Sequence, residues 1–140
     1  MSVALTPPSE IDGKHIVDVL IEERAPRLAH GPYWRYARPA LYAALNYAAA
    51  RKMADDIAPL PGRAAMDYIS TLLHLDTQVR GLARLPKTGR LVIVANHPTG
   101  IADGVAVYDA LKDKRPDLCF FANADAHRVC PGFIDTLIPV

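Results

Sequence analysis

With 140 residues and a formal net charge of +1, the chain is long enough for one domain with a modest core and too short for two of ordinary size. Its 16 basic residues are interspersed with 15 acidic ones, which leaves no electrostatic argument for a nucleic-acid partner. Two cysteines, Cys119 and Cys130, lack Cys-x-x-Cys spacing, and neither a signal-peptide nor a transit-peptide pattern opens the chain, so a cytoplasmic location is expected.

Residues 1–8 read as an unstructured lead. Ser9 with Asp12 three positions on forms a capping-box-like helix start, with Asp in place of the preferred Glu, and Ile16, Val17, Leu20 and Ile21 supply the apolar face until Pro26 ends it. The segment around Gly31, Pro32 and Trp34 reads as a linker, and Pro39 suits the first position of a second helix. Leu41, Leu45, Ala49 and Met53 recur on one face of that helix until Pro59 and Pro61 break it. Its weakly polar part, residues 40–50, is interrupted by Asn46 and falls well short of the ~18 apolar residues needed to span a bilayer. A third helix uses Met66, Ile69, Leu72 and Leu73, which completes an N-terminal helical region over residues 1–75.

Within that region Arg24, Arg27, Arg35 and Arg38 are the nearest thing to a basic cluster, and the Tyr33-Trp34-Arg35-Tyr36-Ala37-Arg38 run mixes rings with cations. Such a mixture suits a membrane surface with anionic headgroups, and it suits a solvated helix face and core packing equally well.

From Thr77 the pattern changes to strands at 78–81, 90–95, 118–122 and 136–140, with a helix over 103–112 between the second and third. Alternation of this kind predicts an α/β fold in which N-terminal helices precede the first part of a mainly parallel sheet with crossover helices. The second strand, Leu91-Val92-Ile93-Val94-Ala95, runs straight into Asn96-His97-Pro98-Thr99-Gly100-Ile101-Ala102-Asp103-Gly104. Ligand sites in open α/β sheets lie beyond the carboxyl ends of such strands, which is where His97 falls. Pro98 and Gly100 let the chain bend so that the Asp103 carboxylate faces the imidazole, fixing its tautomer and leaving the other nitrogen as a base. The plainer alternative has Asp103 capping the next helix, with Asn96 and Thr99 acting as turn formers.

The run from Val79 to Pro98, with Gly81, then Leu85-Pro86, then Gly89 ahead of an apolar strand ending in Asn96-His97, resembles the opening of the lysophospholipid (1-acylglycerol-3-phosphate-type) acyltransferase superfamily. The resemblance covers residues 76–140, a partial glycerolipid acyltransferase domain. Five residues separate His97 from Asp103, where the commonest family form has four. This longer His-Pro-x-Gly-x-x-Asp-Gly version is similar to a bacterial branch related to ornithine-lipid acyltransferases and hemolysin-like proteins. What the resemblance implies is transfer of an acyl group from acyl-CoA or acyl-ACP to a hydroxyl or amine of a lysophospholipid-like or aminolipid acceptor. His97 would be the base, Asp103 its orienting partner, and Asn96, Thr99 and Gly100 substrate-binding residues on the turn that Asn96 and Thr99 help to hold. No further cofactor is implied, and the lipid acceptor implies peripheral association with the inner face of the cell membrane. Family members carry a later Phe-Pro-Glu-Gly-like block, which nothing here matches, so the chain is expected to be an N-terminal portion, inactive alone and prone to associate.

His127 and Cys130, three apart, have the spacing of a metal pair or of a thiol with its base, yet zinc needs three or four ligands and no second cluster lies nearby. Asp125, His127 and Arg128 follow the third strand, which makes Arg128 a candidate contact for an acceptor or donor phosphate, against the alternative of a surface ion pair. Two further readings remain: a noncatalytic phosphate- or nucleotide-binding module at the helix start near Gly100 and Gly104, and an inactive fragment.

Overall fold

A computed structural model describes residues 9–11 and 13–140. The readings of residues 1–8 as a lead and of Asp12 as a capping partner lie outside these. The described chain begins with a minimal antiparallel hairpin, β1 (Glu10–Ile11) against β2 (Lys14–His15), so the first helix starts later than the Ser9 signal predicts. That helix, α1 (Ile16–Arg24), is capped by His15, whose Nδ1 accepts the Val17 N–H at 3.2 Å. Ser9 serves a different purpose. Its hydroxyl donates to Asp55 Oδ1 at 2.5 Å, and His15 Nε2 meets the same oxygen at 3.0 Å.

Pro26 opens the short α2 (Pro26–Ala29), and α3 (Trp34–Ala44) begins five residues before Pro39, which lies inside it instead of starting it. Tertiary contacts override the proline there. Trp34 packs edge-on against Tyr42, Tyr42 stacks on Tyr47 at 4.1 Å, and the Tyr42 and Tyr47 hydroxyls both donate to Asp18 of α1, at 2.5 and 2.9 Å. The helix predicted as continuous to Pro59 is broken at Asn46, whose φ of 49° is a left-handed conformation that asparagine tolerates better than most residues. The second piece is α4 (Tyr47–Ile57), and α5 (Gly62–Leu73) follows as the Met66 and Ile69 spacing predicts.

Beyond α5 the prediction and the structure part. Residues 78–81 form no strand, and residues 90–95 run without a strand partner among the described residues. The helix after the turn is α6 (Ile101–Leu111), and the last two predicted strands are present in shortened form, β3 (Phe120–Ala122) and β4 (Leu137–Pro139). They pair in parallel, Phe120 beside Leu137 and Phe121 beside Ile138, and are joined through α7 (Asp125–Val129) and a 3-10 turn, Pro131–Asp135. The architecture is therefore mixed helix with two two-stranded sheets.

One core unites the helices before and after residue 75: Ile57, Ala65, Met66 and Ile69 pack with Val105, Tyr108 and Phe133. Tyr108 is fully enclosed and its hydroxyl donates to Asp67 Oδ1 at 3.0 Å, which satisfies the one polar atom it brings inside. A second anchor lies ahead of β3. The buried Arg115 binds Asp117 through two nitrogens at 2.8 Å each, and its remaining donors reach the carbonyls of Pro86 (3.2 Å) and Gly89 (2.9 Å).

This clamp has a defined acid limit. The Arg115 hydrogen bonds hold the Asp117 carboxyl at about 2, below its ordinary value of 3.8. A folded-state pKa that is depressed contributes stability above the unfolded value and loses it as pH falls through the folded one. The clamp is thus expected to stay intact at pH 4 and above and to open between about 3.8 and about 2. A carboxyl-carbon NMR titration of Asp117 checks this, and a midpoint near the unfolded value would show that the clamp does not persist in solution.

Candidate active site

Residues 90–95, which have no regular secondary structure, lead through Asn96 and His97 to a turn that ends in α6. Gly100 caps that helix at φ 71°, ψ −126°, a conformation that side chains with a Cβ avoid, which is why the bend requires glycine. Asp103, in the first turn of α6, reaches back across it. Its Oδ2 accepts the Thr99 N–H at 2.8 Å, its Oδ1 accepts the Thr99 hydroxyl at 2.7 Å, and Oδ2 lies 3.6 Å from His97 Nδ1.

Those three distances assign distinct roles. The Thr99 bonds are full hydrogen bonds and fasten the turn to the helix, although Gly100, which caps α6, receives no side-chain cap bond. The His97 contact is an ion-pair distance and longer than a hydrogen bond. The Thr99 hydroxyl, then its amide, lower the Asp103 pKa against an opposing effect of burial, and the imidazole adds a lesser lowering. The carboxylate is therefore ionised at neutral pH and faces an imidazole whose side chain is 66 % exposed. One aspartate thus fastens the turn and stands beside the ring.

His97, Asn96 and Asp103 lie along a groove of 1290 Å³ whose floor is apolar, including Met66, Ile69, Val105 and Phe133. Residues 89–93, 95–97 and 117–123 also line it. An imidazole that accepts a proton, beside an apolar channel, can activate a hydroxyl or amine carried on a lipid-like molecule.

Arg128 is not brought to this groove. Its guanidinium binds Glu23 of α1 through two nitrogens, at 2.6 and 3.0 Å, and Asp125 at 3.1 Å, and it lines a separate cleft with Lys14, Glu22 and His30. The surface ion pair is the reading the geometry supports, because both faces of the phosphate-binding fork are already occupied. Glu23 sits below its ordinary pKa chiefly through its hydrogen bond with Arg128.

Cys130 is fully buried and donates its S–H to the Leu60 carbonyl at 3.4 Å, and burial pushes the thiol up, the opposite of what a nucleophile needs. No group of three or more His, Cys, Asp or Glu side chains suited to a metal ion occurs among the described residues. Beyond the Arg115-Pro116-Asp117 spacing, the sequence pattern gives no sign of Arg115, His15 or Asp55, and it assigns Ser9 to a helix cap instead of to Asp55. Ser9 and His15 meet Asp55 across 40 residues or more.

Comparison with family models, with curated proteins and with solved structures finds no match for this chain.

Proposed function

We propose that the chain carries the general base of an acyltransferase, one that moves an acyl chain from acyl-CoA or acyl-ACP to a hydroxyl or amine of a lysophospholipid-like or aminolipid acceptor. The observation that carries this reading is the pairing of an exposed His97 imidazole with the ionised Asp103 carboxylate on one glycine-bent turn, 3.6 Å apart. The resemblance of residues 79–98 to the lysophospholipid acyltransferase opening supplies the reaction class.

In that reaction Asp103 holds His97 with Nδ1 protonated, so Nε2 is free to take the proton of the acceptor as its oxygen or nitrogen attacks the thioester carbonyl. The tetrahedral intermediate collapses with loss of the thiolate, which recovers the proton from Nε2, and neither an acyl-enzyme nor a metal is required. A 3.6 Å separation suits the unliganded site, since catalytic hydrogen bonds commonly tighten only when substrate is bound. Within this reading β3 and β4 belong to a mainly parallel sheet with crossover helices. The test is acyl transfer from labelled acyl-CoA or acyl-ACP to a panel of lysophospholipid and aminolipid acceptors by the longest protein the reading frame encodes. Product on none of them would remove the reading.

The lipid acceptor implies a membrane surface, and no helix among the described residues is long and apolar enough to cross one. Tyr33 and Tyr36 are 76 % and 68 % exposed, with Arg35 over the Tyr36 ring at 4.8 Å, while Trp34 is engaged with Tyr42. The tyrosines, not the tryptophan, are therefore the expected surface contacts. Cosedimentation with anionic vesicles is expected, and Tyr33→Ala with Tyr36→Ala should weaken it severalfold. Equal recovery in the supernatant with and without vesicles would remove the membrane contact.

A further inference from the structure

His15 is buried, with a side chain only 2 % exposed, and both of its ring nitrogens are in use. The Val17 amide can only donate, so Nδ1, 3.2 Å from it, accepts and carries no proton. The neutral ring therefore holds its proton on Nε2, which donates to Asp55 Oδ1 at 3.0 Å. One imidazole thus caps α1 with one nitrogen and ties the hairpin to α4 with the other. The usual cap residues Ser, Thr and Asn keep their acceptor oxygen at any ordinary pH, whereas a histidine cap loses its acceptor when the ring takes a second proton.

The two ends of the ring respond to that proton in opposite ways. At Nδ1 two N–H groups would face each other beside the positive end of a helix, so the bond to Val17 is lost. At Nε2 the bond to Asp55 becomes charge-assisted and tightens. The Ser9 hydroxyl, and after it the His15 ring, hold the Asp55 carboxyl below its ordinary range against the opposing effect of burial. Asp55 is therefore ionised throughout the range in which histidines titrate.

Among the described residues, Asp55 is the charged group bonded to the ring, and Arg51 of the same helix attracts Asp55. In the hairpin Glu10 is the cross-strand partner of His15, and Lys14 is turned to Glu22 of α1. Asp18, in the first turn of α1, is taken by the Tyr42 and Tyr47 hydroxyls, with Arg38 at 3.9 Å. The Ile16 amide donates to the Ser9 carbonyl at 2.7 Å and needs nothing from the ring. Losing the cap therefore loosens the first turn of α1 without freeing the hairpin. That turn carries Asp18, whose bonds to Tyr42 and Tyr47 seat α3 and α4, and Trp34 packs edge-on against Tyr42.

We propose that His15 is a proton-operated latch on α1. The neutral ring caps the helix, and the protonated ring, still held by Asp55, releases the Val17 amide and slackens the first turn together with the Asp18 contacts to α3 and α4. The inference rests on the hairpin and not on acyl transfer, so either can fail without the other.

NMR and hydrogen exchange on the intact chain between about pH 8 and 5, where histidines titrate, test it. At the upper end the His15 ring is expected as the Nε2–H tautomer in proton–nitrogen correlation spectra. As the ring takes its proton, the protection of the Val17 amide, taken relative to intrinsic exchange at each pH, should fall about five- to tenfold, the size of a lost N-cap. Ile69, in the core face of α5, should keep its protection. Emission from Trp34, the chain's one tryptophan, should change with the same midpoint. His15→Asn supplies a cap oxygen that does not titrate, so both changes should vanish in it. The readings on the parent chain stand whether or not that variant folds. An Nδ1–H tautomer at neutral pH overturns the latch, and so does Val17 protection that stays level while the ring titrates. A loss shared by Ile69 also overturns it, since the whole chain would then be unfolding, as does a loss that persists in folded His15→Asn. Trp34 emission that ignores the titration overturns the step from Asp18 to α3.

Discussion

His97→Ala is expected to lower acyl transfer by ~100- to 10,000-fold while leaving the fold intact, the usual range for removing a positioned proton acceptor. The fold should survive because the His97 side chain is mostly exposed and, among the described residues, makes one polar contact, the 3.6 Å approach to Asp103. Asp103→Asn separates the two roles of the aspartate. The amide oxygen can still accept from Thr99, so the turn stays, but the negative charge facing Nδ1 is lost and the rate should fall by less than in His97→Ala. Thr99→Ala should cost stability of the turn, with a smaller effect on the chemical step. The measurement is kcat/KM for each variant beside its circular dichroism spectrum. Full turnover in folded His97→Ala would remove the general-base assignment, and equal losses in all three would point to a merely structural turn.

How far the sequence could be read depended on the distance over which each feature is determined. The Met66 and Ile69 spacing of α5 and the helix after Gly100 are set within a few residues, and both are where periodicity and turn chemistry predict them. The approach of Asp103 to His97 was legible for the same reason, since one glycine and one threonine in the same turn determine it. Pro39 misled because a proline inside a helix is tolerated when tertiary contacts hold the flanking turns, and Asp18, 24 residues from Tyr42, cannot be seen as their hub from local sequence. For Arg128 the surface ion pair was one of the two readings, but its partner could not be named, because Glu23 is 105 residues away. The apolar run 91–95 reads as a buried strand from its composition, but a strand also needs a neighbour at hydrogen-bonding distance, which composition does not report.

Gly132→Ala is expected to destabilise the chain by about 3 kcal/mol, the upper part of the usual range for overpacking. Gly132 lies in the 3-10 turn Pro131–Asp135 that packs on α5, and a Cβ there would collide with the Leu60 carbonyl oxygen and come within 2.9 Å of Pro61 Cα. Both are backbone atoms, so no flexible side chain can yield. The turn itself cannot retreat without pulling Phe133 and the neighbouring Cys130 out of the core they share with Ala65 and Met66. Relief therefore requires separating α5 from the segment that leads into β4. Gly104→Ala is the matched control, because a Cβ at that position in α6 meets nothing within 4 Å. There the same substitution removes backbone freedom from the unfolded chain and should stabilise by roughly 0.5–1 kcal/mol. Urea unfolding of both variants against the parent checks the pair: a midpoint that falls for Gly132→Ala and rises for Gly104→Ala is the expected result. A neutral Gly132→Ala would mean that the α5 contact with the 131–135 turn is looser in solution than its geometry requires.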